Sequence, residues 1–346
     1  REEALNYPRG DIVLGYCQTC GFIFNVAFDP SLQEYSPGYE ATQSFSNTFN
    51  AFAGRLAARL VDQYDLHEKT IVEIGCGQGE FLTRLCELGD NRGIGFDPAY
   101  VGGRTDAPTE NRVTFIKDYY SEEYARYQGD FVCCKMTLEH IPNTADFIST
   151  VRRSLGNHAD TTVFFQVPDV TRILRELAFC DIYYEHCSYF SPGSLARLFR
   201  RCGFDVLHLD REYDDQYLMI EARPQDGSAA RSPDRETAHD VAQDVKYFSD
   251  NDSHSLDVWR RTLQDIRRDG QRVVIWGAGS KGVAFLTTLD IRDAIEYAVD
   301  INPFKHGTYM AGTGQEIVGP DFLVEYKPDV VIVMNPIYCG EIQQDL

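Results

Sequence analysis

Basic residues are scarce in this 346-residue chain: 33 Lys and Arg stand against 53 Asp and Glu, a formal charge of -20. A surface of that sign repels phosphate backbones, which argues against DNA or RNA as the main partner. Long apolar runs are missing too. Nothing approaches the ~20 residues needed to cross a bilayer, and the opening REEALNYPRG has no apolar leader, so membrane and secretory readings gain no support. The 10 cysteines are scattered as one CxxC, the Cys133-Cys134 neighbours and single members of apolar runs. That is not a disulfide framework and suits a reducing cytoplasm. What the chain does have is 43% hydrophobic residues over a length that, at ~150 residues per domain, gives about two domains with room for a third.

Tyr16-Cys17-Gln18-Thr19-Cys20-Gly21-Phe22 is a turn between short strand-like stretches, the form of a zinc knuckle. Phe49, Phe52, Ala53, Leu56, Ala57 and Leu60 then recur at helical spacing between Ser46 and Tyr64, predicting an amphipathic helix that roofs the following sheet. Thr70 to Ile74 reads as a buried parallel strand, Gly75 to Gly79 as a turn, Glu80 to Leu88 as a helix and Gly93 to Asp97 as a second strand, together a βαβ unit. Apolar segments at 131–134, 162–165, 204–209 and 217–222 continue the alternation. The polar stretch RPQDGSAARSPDR, 223–235, reads as a linker. After it, Arg272 to Trp276, Gly277 to Gly282, Tyr297 to Asp300 and Asp329 to Met334 begin a second α/β fold. The expected organisation is a CxxC module with a substrate-side segment over 1–45, an α/β Rossmann-like domain over 46–222, and a smaller Rossmann-like domain over 236–346.

In Glu73-Ile74-Gly75-Cys76-Gly77-Gln78-Gly79 the glycines permit a tight strand-to-helix turn, and the helix start presents unpaired N–H groups to a ligand. Glycines spaced two apart differ from the GxGxxG of dinucleotide sites. With Asp97 ending the next strand, where it can accept from two ribose hydroxyls, the pattern favours S-adenosylmethionine, ahead of another nucleotide or a purely structural turn. The residues expected at this cofactor are Glu73, Gly75, Cys76, Gly77, Gly79, Asp97 and Pro98. Asp118 is read either as a contact to the adenine edge or as a helix cap.

Chemistry is expected at two places. Thr137-Leu138-Glu139-His140-Ile141-Pro142 follows a buried strand at the carboxyl edge, where ligands of open α/β sheets collect, which places His140 beside the cofactor. Tyr183-Tyr184-Glu185-His186-Cys187-Ser188-Tyr189-Phe190-Ser191 crowds a carboxylate, an imidazole and three phenols ahead of a Ser-Pro helix start. A neutral imidazole can take a proton from an activated carbon, so His186 is the leading base, with a buried support for the next helix as the plainer reading. If the segment is extended, Tyr183 and Glu185 share a face and His186 points the other way.

These pieces, with Phe165-Gln166-Val167-Pro168, Trp276-Gly277-Ala278-Gly279-Ser280-Lys281-Gly282 and Asp300-Ile301-Asn302-Pro303-Phe304-Lys305-His306-Gly307, resemble in order and combination the sugar C-methyltransferase family of deoxysugar biosynthesis. The resemblance covers nearly the whole chain. It implies an N-terminal zinc module, a central class I S-adenosylmethionine-dependent domain, and a C-terminal Rossmann-like domain that helps enclose a nucleotide-linked keto-sugar. It also implies a base role for His186, assistance from His140, substrate-side roles for Tyr183 and Glu185, and an active-site tyrosine after the CxxC module, Tyr39 or alternatively Tyr35. Zinc at Cys17 and Cys20 would need two further ligands, which the family places upstream, ahead of Arg1 if the chain is cut there; otherwise the pair are free thiols.

Departures from the family are equally specific. Cys76-Gly77-Gln78-Gly79 replaces a serine-asparagine turn, and Tyr213-Asp214-Asp215-Gln216-Tyr217-Leu218 replaces a histidine-glycine-arginine stretch with two acids. The loop from Val101 to Asn111 is longer and more polar than the family's helix there. In the last domain, Lys281 and the backbone of its glycine turn would take a substrate phosphate, with Asn335, Lys305 and His306 as secondary candidates, or else the turn only packs. The leading expectation is a cytoplasmic C-methyltransferase, a monomer or small homo-oligomer. An O- or N-methyltransferase of another small intermediate, a non-catalytic binding module and, more distantly, a dehydrogenase are the alternatives.

Overall fold

The structure, a computed structural model, describes residues 1–33, 42–102, 112–225 and 238–346. The chain opens with a short helix α1 (Glu2–Leu5) and a hairpin of β1 (Leu14–Tyr16) and β2 (Ile23–Asn25). The central unit follows: α2 (Asn47–Tyr64), β3 (Thr70–Ile74), α3 (Glu80–Gly89), β4 (Arg92–Phe96), β5 (Val113–Ile116), β6 (Phe131–Lys135), α4 (Thr144–Ser154), β7 (Thr162–Pro168), α5 (Val170–Glu176), β8 (Ser188–Tyr189), α6 (Pro192–Arg201), β9 (Phe204–Glu212) and β10 (Tyr217–Pro224). The last unit holds α7 (Ala238–Arg268), β11 (Val273–Trp276), α8 (Ser280–Thr288), β12 (Tyr297–Val299), β13 (Glu316–Val318), α9 (Phe322–Tyr326), β14 (Val330–Val333) and α10 (Cys339–Asp345). No helix among the described residues is long and apolar enough to cross a membrane.

Seven strands form the main sheet in the order β5-β4-β3-β6-β7-β10-β9, and β10 alone runs against its neighbours. This is the class I, Rossmann-like methyltransferase sheet that the sequence implied. Its core is layered as the strand periodicity demands: Val72, Val132, Cys134, Val163 and Phe165 face α4 and α6, while Ile71, Phe131, Cys133 and Phe164 face α2 and α3. The predicted roof is α2, whose Phe52, Leu56, Ala57 and Leu60 are buried and whose first turn is capped by the Ser46 hydroxyl accepting from Phe49 N–H at 3.1 Å. Strand order reverses between β3 and β6, which opens a crevice at their carboxyl ends.

The last unit repeats the scheme with a parallel sheet in the order β13-β12-β11-β14, whose reversal lies between β11 and β14, beside Gly277. β10 continues through Arg223 and Pro224, two residues into the stretch expected as linker, because both still pair with β9. The N-terminal hairpin does not stand apart. Its β2 pairs antiparallel with β8, and Ile23 packs with Val170, Ile173 and Leu174 of α5 and Val241 of α7.

Candidate active site

One cleft of about 860 Å³ lies across the carboxyl edges of both sheets. That is near the upper end of ligand pockets. At its first end, Gly75, Gly77 and Gly79 all have positive φ, at 68°, 55° and 86°. A Cβ on Gly75 would come within 2.0 Å of the Thr137 hydroxyl, whereas nothing lies within 4 Å of the Cβ position of Gly77, so the backbone there is open to a ligand. Asp97 accepts from Gly77 N–H through one oxygen and from Ala99 N–H through the other, both at 2.8 Å. Each oxygen keeps a lone pair, the requirement for receiving a ribose diol. Burial pushes its carboxyl above the ordinary range, offset in part by those two N–H groups. Glu73, Cys76 and Pro98 also line this end. Burial raises the Glu73 carboxyl to about 8 against the pull of the Lys135 ammonium, which lies 3.7 Å above the Phe81 ring. Asp118 lines the same wall, accepting from Tyr119 N–H and from the Tyr124 hydroxyl.

In the middle, the turn Leu138–His140 after β6 and the loop before β8 are laced together. Cys187 N–H donates to Glu139 C=O at 3.0 Å, and the Ser188 hydroxyl to Ile141 C=O at 2.8 Å. The segment 183–186 is a turn, closed by His186 N–H on Tyr183 C=O at 3.1 Å, and not the extended stretch that would pair Tyr183 with Glu185. The turn instead brings Tyr183 and His186 together, with Tyr183 Oη 2.9 Å from His186 Nε2. Both line the cleft and Glu185 does not. The rings of His140 and His186 meet edge to face with centroids 4.8 Å apart. Desolvation holds both imidazoles neutral: His140 is lowered to about 4, against a hydrogen bond to the Glu185 backbone, and His186 lies well below its ordinary value. Glu139, which sequence reasoning passed over, completes this cluster; its carboxylate and the two imidazoles each offer an atom within 4.8 Å of the others.

At the far end the β11–α8 turn copies the first. Asp300, after β12, accepts from Ala278 N–H at 3.0 Å and from Asn302 N–H at 2.9 Å, as Asp97 does from Gly77 and Ala99. Asp300 was legible only as part of a quoted motif; the signal was its place at the end of the strand after a GxGxxG turn. Lys305 Nζ lies 3.1 Å from Asp300, and Lys281 Nζ 2.5 Å from Asp181, both lysines lining the cleft. Asn335 also lines it and exchanges two hydrogen bonds with Gln216, at 3.1 and 2.8 Å. His306 is turned away, its ring on Asp300 C=O. The hairpin Tyr213 to Asp215 has positive φ throughout, so Gln216 and Tyr217 face the cleft while Asp214 and Asp215 are exposed outside it.

Tyr35 and Tyr39 lie outside the described residues. Cys17 and Cys20 sit on the expected turn, with Cys17 N–H on Phe22 C=O at 2.9 Å and Arg197 donating to Cys20 C=O. They offer half of a tetrahedral zinc set, and no third His, Cys, Asp or Glu joins them among the described residues.

Residues 46–209 match the family described as a methyltransferase domain, and residues 220–346 the family described as a C-methyltransferase C-terminal domain. The chain is 26% identical over 289 residues to C-methyltransferase NovU of Streptomyces niveus, spanning 79% of this chain and 67% of NovU. Among solved structures it is similar to an S-adenosylmethionine-dependent methyltransferase from Listeria monocytogenes, with 13% identity, a TM-score of 0.40, and 51% of this chain over 100% of that one. It is also similar to magnesium protoporphyrin IX methyltransferase of Synechocystis PCC 6803, with 16% identity, a TM-score of 0.41, and 54% of this chain over 90% of that one.

Proposed function

We propose that this chain, an S-adenosylmethionine-dependent methyltransferase related to deoxysugar C-methyltransferases, methylates the carbon beside the keto group of a nucleotide-linked keto-deoxysugar. The observation that carries the reading is a pair of neutral imidazoles, His186 buried and His140 half-buried, midway along a cleft whose two ends bear the same aspartate-on-backbone arrangement, Asp97 and Asp300. Two nucleoside-bearing ligands meeting tail to tail would put their reactive parts at His140 and His186. Asp214 and Asp215 are exposed outside the cleft, so their charge does not face a diphosphate bound in it.

Bound S-adenosylmethionine would supply an electrophilic methyl group, which the carbon takes to leave S-adenosylhomocysteine. The chain's own part is proton and charge handling. His186 Nδ1 is shut away without a partner, so Nε2 is the ring atom that receives the C3 proton. The C–H electron pair moves into the keto group, and the enolate oxygen takes a hydrogen bond from the Tyr183 hydroxyl as it turns from Nε2. His140, through its bond to the Glu185 backbone, keeps the facing ring in place. Lys281 and the N–H groups at the start of α8 would meet the diphosphate.

Deuterium exchange tests the reading. With S-adenosylhomocysteine present and no methyl donor, the enzyme should wash deuterium out of C3 of a 4-keto nucleotide-sugar, and His186→Ala should stop it. Methyl transfer to oxygen or nitrogen without such exchange would sink the C-methylation reading.

A further inference from the structure

Glu139 has the environment of a working carboxyl and no structural employment. It is 1% exposed, neither of its oxygens has a hydrogen-bond partner, and it lines the cleft. A buried carboxyl left unpaired costs several kcal/mol if charged and about 1–3 kcal/mol if neutral, so an idle one is destabilising. Its Oε1 is 3.9 Å from His186 Nε2, the atom that faces Tyr183. Its own backbone carbonyl holds Cys187 N–H, so the turn bearing Glu139 and the loop bearing His186 move as one piece.

We infer that Glu139 is a positioning residue for His186 that takes over its proton: the proton removed from C3 arrives at Nε2 and passes to Glu139 Oε1. This rests on the C-methylation reading above. The balance is simple. The C–H bond breaks, its electrons become the enolate, the imidazole becomes imidazolium, and the carboxylate becomes carboxylic acid while the imidazole returns to neutral. No oxidant or further reactant is involved. Without the transfer, a cation would remain in a site that desolvation, His140 and Lys281 all make hostile to positive charge. The proton would then return to carbon before the methyl arrived.

Burial lifts the Glu139 carboxyl to about 8. Below that pH it already holds a proton and cannot accept another, so turnover should rise with pH and level off above about 8. The groups facing it are His140 on its own turn, His186 and Cys187 from the loop before β8, Cys134 on β6 and Tyr217 on β10. Burial pushes the two cysteines and the tyrosine upward and the two histidines downward, so none of them places a second limb at 8; Glu73, raised to the same value at the other end of the cleft, is removed from the comparison by making the Glu139 variants in a Glu73→Gln background.

The test compares Glu139→Gln and Glu139→Asp with their Glu73→Gln parent by kcat against pH from 5.5 to 9.5, with S-adenosylhomocysteine affinity measured beside it. Glu139→Gln should lose roughly 10²-fold in kcat and the limb near 8, with donor-product affinity kept. Glu139→Asp should recover part of the rate and keep a limb, shifted. A limb near 8 that survives in Glu139→Gln, or an Asp variant as slow and as flat as the Gln variant, overturns the assignment, and the Asp variant decides alone if the Gln variant fails to fold. If wild-type enzyme shows no C3 exchange at all, the parent reading has failed instead.

Discussion

An imidazole can take a carbon-bound proton only while it is neutral, and desolvation keeps His186 and His140 in that form. Because both are lowered from the ordinary value near 6.5, neither should add an inflection near 6.5 to kcat/KM, and the fall toward acid should be the single limb that Glu139 sets near 8. An inflection at 6.5 that disappears in His186→Ala would show the imidazole to be solvated. The base itself is tested more directly: His186→Ala should lose about a thousandfold in turnover, equivalent to ~4 kcal/mol of transition-state stabilisation, with calorimetric affinity for S-adenosylhomocysteine unchanged. Asp97 works at the other end by geometry. Its oxygens are fixed by Gly77 and Ala99, so the remaining lone pairs are already oriented for a diol. Asp97→Ala should weaken S-adenosylhomocysteine binding roughly 10²-fold, the loss of charge-assisted hydrogen bonds at ~1.5–3 kcal/mol each, and an equal loss in acceptor affinity would show that it serves the fold instead.

Elements made by local pattern were legible and arrangements made by burial were not. β3, α3 and the glycine turn follow from a buried apolar run, three glycines and a helical stripe, and each lies within a residue or so of its expected bounds. The turn at 183–186 could not be read, because alternation treats every residue as extended until a backbone bond such as that between His186 and Tyr183 says otherwise. Glu139 was missed for a related reason: the carboxylate is ordinary in sequence and becomes unusual only when β6 and the loop before β8 seal it from water. The likeness of Asp97 and Asp300 lies in two pairs of backbone bonds that no side-chain pattern records. The glycine turn itself makes a quantitative prediction. Gly75→Ala would meet the Thr137 side chain at 2.0 Å in a left-handed backbone, costing ~1–2 kcal/mol for the conformation and ~1–3 kcal/mol for overpacking. Removing the neighbour should recover only the second part. Thermal unfolding of Gly75→Ala, Thr137→Ala and the double variant should therefore show a favourable coupling of about 1 kcal/mol or more, and strict additivity would refute the contact.

Across the whole molecule, the two α/β units meet along an apolar seam, with Phe179 after α5 stacked on Phe285 in the last unit's core and Val241 of α7 packed on α5, and a set of polar contacts clasps them beside the cleft. Glu341 on α10 accepts from the Ser46 hydroxyl at 2.7 Å and from the N–H groups of Asn47 and Thr48, at the positive end of α2. The Tyr338 hydroxyl donates to Gln43 at 2.7 Å and accepts from Tyr213 at 2.8 Å, and Gln216 pairs with Asn335. Burial alone would raise the Glu341 carboxyl, but the bonds from Ser46, Thr48 and Asn47 outweigh it and hold it below its ordinary range. A carboxyl lowered by folding contributes fully above its unfolded value near 4.3 and loses that contribution as pH falls through the lower folded value, so the clasp should be intact at neutral pH and loosen only in acid. The polar clasp therefore adds to the apolar seam, tightening the coupling of the units at the cleft edge. Calorimetry at pH 7 should then show one joint transition in wild type and one at lower temperature in the Glu341→Ala, Tyr338→Phe double variant, with acceptor KM raised severalfold because Asn335, Tyr338 and Glu341 all line the cleft. As pH falls through the lowered Glu341 value, wild type should come to resemble the Glu341→Ala single variant. An unchanged transition temperature with unchanged KM in the double variant would mean that the apolar contacts of Phe179, Val241, Ile337 and Tyr338 between the units carry the docking by themselves.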